Sequence, residues 1–267
     1  MVGAGGMLGQ DVVRVLGDDA IALSRAELDV TDARAVRQTV AETEPDVVLN
    51  CAAYTNVDGA ESEPEQALLV NGEAAGIVAE AAPAVLYVSS DYVFDGRKGE
   101  PYVESDPTGP ASSYGRSKLA GEQATAAANP RHFIARSSWL FGAGGKNFVD
   151  TMLRVGREND EARVVADQIG CPTYTGHLAR ALVEIASGED YGVHHVAAAG
   201  SCSWYDLAAA AFERAGVDCQ LEPITTAEYP LPAPRPAYSV LGTEREPLLP
   251  PWQEGLDAYL AEREVHA

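Results

Sequence analysis

Short apolar or β-branched runs alternate along the chain with segments whose apolar residues recur at helical spacing. Residues 20–23, 46–49, 85–88 and 133–135 read as buried strands. Leu8, Val12, Val15 and Leu16 fall on one helical face, and residues 70–82 make an alanine-rich helix that Pro83 stops. This alternation predicts an α/β fold with a doubly wound parallel sheet, because each parallel connection needs a crossover helix. After about residue 142 the pattern is less regular. Strands are expected at 163–165 and 193–196 and helices at 177–185 and 203–215, the last opened by a capping box of Ser203 and Asp206. A proline-rich stretch follows at 230–236. The chain is therefore expected to divide into a main unit over residues 1–142 and a smaller C-terminal lobe over 143–267, with chain exchange between the two.

At the head of the first helix, Gly3, Gly6 and Gly9 form G-x-x-G-x-x-G. Glycine lets the backbone turn sharply and approach a diphosphate, whose charge then sits on free N–H groups at the positive end of the helix. The main unit thus reads as Rossmann-type and NAD(P)-binding. Only Met1 and Val2 precede the glycines, so the first strand is expected to be almost missing, with its neighbours left unpaired. A start about seven or more residues upstream would supply it. The second predicted strand ends at Ser24 and Arg25. An acidic residue there would bind a ribose 2′-hydroxyl and repel a 2′-phosphate, so Arg25 favours NADP(H), without excluding NAD(H).

Composition narrows the setting. Hydrophobic residues are 46% of the chain, but no apolar run approaches the length of a membrane span. The N-terminus lacks the flank, core and cleavage site of a signal peptide, so a cytoplasmic protein is expected. Cys51, Cys171, Cys202 and Cys219 show no C-x-x-C spacing and read as free thiols. His194 and His195 are neighbours on a predicted strand and point to opposite faces, so no metal site is expected. Forty acidic residues against nineteen basic ones give a net charge of −21. Such a surface repels nucleic acid and anionic membranes and argues against both as partners. It also predicts a halophilic protein, whose self-repulsion is screened by salt.

Candidate chemistry centres on Tyr114-Gly115-Arg116-Ser117-Lys118, which places a phenol and an ammonium four residues apart on one helical face. A nearby cation is expected to lower the tyrosine pKa, so that the phenol can protonate an alkoxide as hydride arrives. The lysine can also hold the nicotinamide ribose. Only Lys98, Lys118 and Lys146 are lysine among the nineteen cations, and a lysine at 118 suggests a need for a compact charge. Ser89-Ser90-Asp91-Tyr92 follows the strand expected at 85–88, and strand ends of this kind hold ligands. Ser90 can donate a hydrogen bond to a substrate carbonyl.

Further motifs are Leu28-Asp29-Val30-Thr31-Asp32, Asn50-Cys51-Ala52-Ala53-Tyr54-Thr55, Tyr92-Val93-Phe94-Asp95-Gly96, Arg136-Ser137-Ser138-Trp139, Asn147-Phe148, Ser203-Trp204-Tyr205 and Arg235-Pro236-Ala237-Tyr238-Ser239. Together they resemble the dTDP-4-dehydrorhamnose reductase family of the extended short-chain dehydrogenase/reductases, over almost the whole chain. The resemblance implies a catalytic trio of Ser90, Tyr114 and Lys118. It implies a cofactor site with Gly3, Gly6, Met7 and Leu8 near the diphosphate, Asp29 and Val30 at the adenine, and Ala52, Ala53 and Tyr54 along its length. Asp91 and Trp139 are implied as sugar-nucleotide contacts, with Asn147 and Arg235 as further ones. The implied reaction carries hydride from NADPH to C4 of dTDP-4-dehydro-L-rhamnose, a small nucleotide sugar, giving dTDP-L-rhamnose, in a protein expected to form a homodimer. A homologous group with this fold serves instead as the NADP-binding regulatory subunit of S-adenosylmethionine synthetase. The hydroxyl, phenol and ammonium retained at the trio favour catalysis, since a binding module does not need them. A third reading keeps the reductase chemistry and changes the sugar. Ser90 stands where the family often has threonine, and Cys51 where alanine is usual.

Overall fold

Four strands, Val48–Asn50, Val85–Ser90, His132–Ser137 and Gly192–His195, lie side by side in that order and all run parallel in the computed structural model, which describes residues 1–265. Alternate residues face opposite layers. Leu49, Leu86 and Phe133 pack with Leu8 and Val12 of the Met7–Leu16 helix and with Leu178, Leu182 and Ile185 of the Thr175–Ala186 helix. Val48 and Val85 pack on the other side with Val36, Ala74 and Val78. Apolar packing on both faces explains why the first three of these strands read as apolar runs.

Three expectations need correction. Residues 20–23 do not form a strand; only Leu23 is bridged, to Val2, and Val2 is bridged on its other side to Asn50. The neighbours are nevertheless not left unpaired at this point. The Val2 N–H donates to Leu49 (3.0 Å) and its carbonyl accepts from Cys51 (3.1 Å), while the Met1 ammonium donates to the Ile21 carbonyl (2.8 Å). One bridging residue therefore holds the slot of the first strand. The helix expected over 70–82 instead opens as a π-helical turn, Leu69–Glu73, before continuing as Ala74–Ala81. The widened turn centres on fully buried Asn71.

In the second half, Glu161–Val165 pairs in parallel with Gln220–Ile224. Helices Phe148–Glu158, Trp204–Ala215 and Trp252–Val265 belong to the same region, with Leu153, Leu207, Leu256 and Tyr259 in its core. Ser203 and Asp206 form the expected capping box at the start of the Trp204–Ala215 helix. The Thr175–Ala186 helix and the Gly192–His195 strand come from this half yet pack into the main sheet. None of the described helices is long and apolar enough to cross a membrane.

Candidate active site

A cleft of about 1390 Å³ opens across the carboxyl ends of the main strands, where ligands of such sheets bind. Its walls include Gly3, Gly6, Met7, Leu8, Arg25, Asp29, Val30, Ala52, Ala53 and Tyr54, together with Ser90, Asp91, Tyr114, Lys118, Trp139 and Arg235. Asn147 is not among them. It is buried as the N-cap of the Phe148–Glu158 helix, accepting from the Asp150 N–H (2.9 Å) and donating to Gly142 O (3.0 Å) and the Tyr259 hydroxyl (3.1 Å). Its expected substrate contact is corrected to a capping role, because its amide is already committed.

The phosphate-loop end fits a dinucleotide. Gly3 has φ +78°, and a Cβ there would lie 2.5 Å from Ala52 N; a Cβ on Gly9 would lie 2.2 Å from Gly3 O. The first helix has no side-chain cap and no acidic residue in its first turn, so its N–H groups and dipole are free for an anion. Asp29 accepts from the Thr31 N–H (3.0 Å) and hydroxyl (2.8 Å), which hold its carboxyl below the usual range.

The tyrosine comes from the Ser113–Ala128 helix, whose first turn is capped by Ser112 accepting from the Gly115 N–H (3.0 Å). A Cβ on Gly115 would lie 2.2 Å from Tyr92 O, so glycine lets this helix press against the strand-end turn that carries Ser90 and Asp91. The Tyr92 and Tyr114 rings meet edge to face at 5.5 Å. Ser90 donates to Asp91 Oδ1 (2.9 Å) and accepts from the Tyr92 N–H (3.2 Å). Asp91 is 1% exposed, and burial pushes its pKa up to about 6.

The expected lowering of the tyrosine pKa does not occur. Desolvation, followed by the Asp91 charge, pushes Tyr114 up to about 12, with the nearby Ser90 hydroxyl opposing. Lys118 is turned elsewhere. Its ammonium donates to the Val88 carbonyl (2.7 Å) and lies 4.3 Å from the centre of the Tyr87 ring. Burial lowers the pKa of this lysine to about 7, opposed mainly by Glu122. The phenol therefore keeps its proton at neutral pH, which is what a proton donor needs.

This depressed lysine makes the stability of the cofactor-free protein pH-dependent. Between about 7 and the ordinary lysine value of 10.5 the unfolded chain holds the Lys118 proton and the folded chain does not. Stability therefore rises with pH in that window, while below it the cost of burying the charge is fully present. The stability difference between wild type and Lys118→Met, followed by denaturant unfolding, is expected to change in favour of wild type from pH 7 to 9. A difference that stays constant over that range would contradict the sign.

Three residues the sequence did not single out for a role complete the site. Asn71 holds Tyr54, accepting from its N–H (2.8 Å) and donating to its carbonyl (3.0 Å), and also donates to Ser117 (2.9 Å) on the tyrosine helix. Trp204 stacks on Trp139 with centroids 3.5 Å apart and planes 4° apart, and Trp139 holds a left-handed φ of +49°. Lys146 lines the cleft beside Gly145. None carries a periodic signal, although a lysine in so arginine-rich a chain is itself a clue at 146.

A parallel sheet with a glycine phosphate loop, and a tyrosine and lysine in one cleft, define the class: Rossmann-type reductases of the short-chain kind. Residues 1–265 match the family model described as RmlD substrate binding domain, and the chain belongs to that family. It is 43% identical over 277 residues to the dTDP-4-dehydrorhamnose reductase of Mycolicibacterium smegmatis, covering 98% of this chain and 84% of that one. It is 45% identical over 257 residues to the probable dTDP-4,6-dihydroxy-2-methyloxan-3-one 4-ketoreductase of Streptomyces antibioticus, covering 92% and 86%. The crystal structure of the Bacillus anthracis dTDP-4-dehydrorhamnose reductase in complex with NADP matches with a TM-score of 0.94 at 38% identity, over 98% of this chain and 97% of that one.

Proposed function

We propose that this chain is an NADPH-dependent reductase that converts dTDP-4-dehydro-L-rhamnose to dTDP-L-rhamnose. The observation that carries the reading is the placement of Ser90, Tyr114 and Lys118 in one cleft with the glycine phosphate loop. NADPH supplies the hydride that adds to C4. As the C=O π bond opens, the Tyr114 hydroxyl gives its proton to the sugar oxygen, and the Ser90 hydroxyl polarises the carbonyl by a hydrogen bond. Lys118 would hold the nicotinamide ribose, and Arg25 the 2′-phosphate. Asp91, Trp139 and Arg235 face the sugar nucleotide, with Arg235 pre-set by Asp58 (2.8 and 3.0 Å). In this reading residues 1–142 chiefly hold the cofactor and 143–267 chiefly the sugar nucleotide. The protein works in the cytoplasm as a homodimer.

The test is NADPH oxidation with a panel of nucleotide 4-keto sugars. Turnover of dTDP-4-dehydro-L-rhamnose above the others is expected. Preference for another sugar would move the assignment toward the chemistry named for the Streptomyces antibioticus relative. Inactivity on the whole panel with NADP still bound would favour a binding module.

The charge of −21 supports a salt-adapted protein. Its melting temperature is expected to rise from dilute buffer to molar KCl as acidic self-repulsion is screened. A flat or falling melting temperature would remove that reading.

A further inference from the structure

Lys146 is one of three lysines, and it is used differently from the other two. Lys98 pairs with Asp106, and Lys118 donates to the Val88 carbonyl. Lys146 is exposed at the cleft and has no hydrogen bond or ion pair among the described residues.

Its backbone is pinned on both sides. On one side, the Gln10 amide donates to the carbonyls of Gly5 and Gly144, both at 3.2 Å, and so ties the 142–147 loop to the phosphate loop. A Cβ on Gly144 would lie 2.3 Å from Gln10 Oε1, and one on Gly145 would lie 2.8 Å from Met7 Cβ. The two glycines therefore let the loop rest directly on the start of the first helix. On the other side, Asn147 is locked in its buried cap. Lys146 is thus the first side chain after the contact with Met7, on the wall of the same cleft as Gly6 and Met7.

The phosphate loop needs such a cation. Residues 3–10 contain no lysine or arginine, and the helix start offers only about half a positive charge. A diphosphate brings about two negative charges into a protein whose own net charge is −21, so the helix end alone leaves it under-neutralised. An ammonium on a flexible stem can meet two phosphates as a point charge.

We infer that Lys146, held against the first helix by the Gln10 strap, is the cation that neutralises the cofactor diphosphate from across the cleft. The inference rests on the NADP(H) reading above and extends it to a lysine that sequence reasoning left without a role.

The experiment is calorimetric titration of the full chain, as wild type, Lys146→Ala, Lys146→Glu and Arg25→Ala, with NADPH, NADH and dTDP. Lys146→Ala is expected to weaken NADPH and NADH by the same factor, about tenfold for one charge-assisted contact. Lys146→Glu should weaken both further, dTDP binding should be unchanged, and the losses should shrink as KCl rises. Arg25→Ala should weaken NADPH alone, which shows that the titration separates a 2′-phosphate contact from a diphosphate contact. Three results overturn the assignment. Both Lys146 variants could bind the cofactors like wild type; their loss could be confined to dTDP, giving the lysine to the substrate diphosphate; or it could be confined to NADPH, giving it to the 2′-phosphate. Wild type that binds dTDP but neither cofactor would instead overturn the cofactor reading, and this assignment with it.

Discussion

Tyr114→Phe is expected to lower turnover by ~10²–10⁴, the range for loss of a general acid, while NADPH binding stays close to wild type. The ring keeps its edge-to-face contact with Tyr92 at 5.5 Å, so the variant removes a proton and little else. Lys118→Arg keeps the charge but should also lose activity. Its site is 2% exposed and fitted around a point charge between the Val88 carbonyl and the Tyr87 ring, where a broad guanidinium does not fit. Ser90→Thr should be mild, because the hydroxyl survives, whereas Ser90→Ala should not. The pH profile adds a check. Tyr114 holds its proton to about 12 and Lys118 its own only to about 7, so the alkaline limb of kcat/KM for NADPH belongs to the lysine. A Tyr114→Phe enzyme with full activity would sink the mechanism.

The largest stability effect is expected beneath the site, at the buried pair of Glu122 and Arg136. Both are 4% exposed, and the guanidinium donates twice to the carboxylate, at 2.8 and 2.7 Å. Ser89 donates to Glu122 (2.6 Å), and Arg136 donates to His195 Nε2 (3.3 Å). That leaves the other ring nitrogen, Nδ1, to donate to the Gly242 carbonyl (2.7 Å), so the imidazole is neutral. Glu122→Ala would strand a buried guanidinium and should cost about 3–5 kcal/mol in denaturant unfolding. Replacing both partners, as Glu122→Leu with Arg136→Met, should restore most of the loss, because neither member of the pair is left charged and unpaired. A single variant within about 1 kcal/mol of wild type would show that the pair is not desolvated as its burial indicates.

What the sequence by itself determined is whatever depends on local periodicity and short spacing. Apolar runs located three of the four paired strands of the sheet, because residues buried on both faces must be apolar, whereas Gly192–His195, which ends on two buried histidines, was expected as a strand of the C-terminal lobe. Helical spacing located the Met7–Leu16 and Trp204–Ala215 helices, and the Ser203 to Asp206 spacing located the cap of the second. Four-residue spacing put Tyr114 and Lys118 on one helical face, and the glycine pattern marked the tight turn into the first helix.

The tertiary structure decided everything that depends on which groups meet across the chain. Residues 20–23 have the composition of a strand but find only Val2 to pair with, so a single bridge forms. Asn147 has the residue type of a substrate contact, yet the distant Tyr259 helps draw its amide into a helix cap. The direction of the Tyr114 pKa shift was opposite to that expected from Lys118, because charge and burial act through space. The lysine faces Val88 and Tyr87, and the phenol shares a desolvated wall with Asp91. Sequence spacing places two side chains on one face of a helix; only the packing of strands and loops around that face decides which carbonyl, ring or carboxylate each one meets.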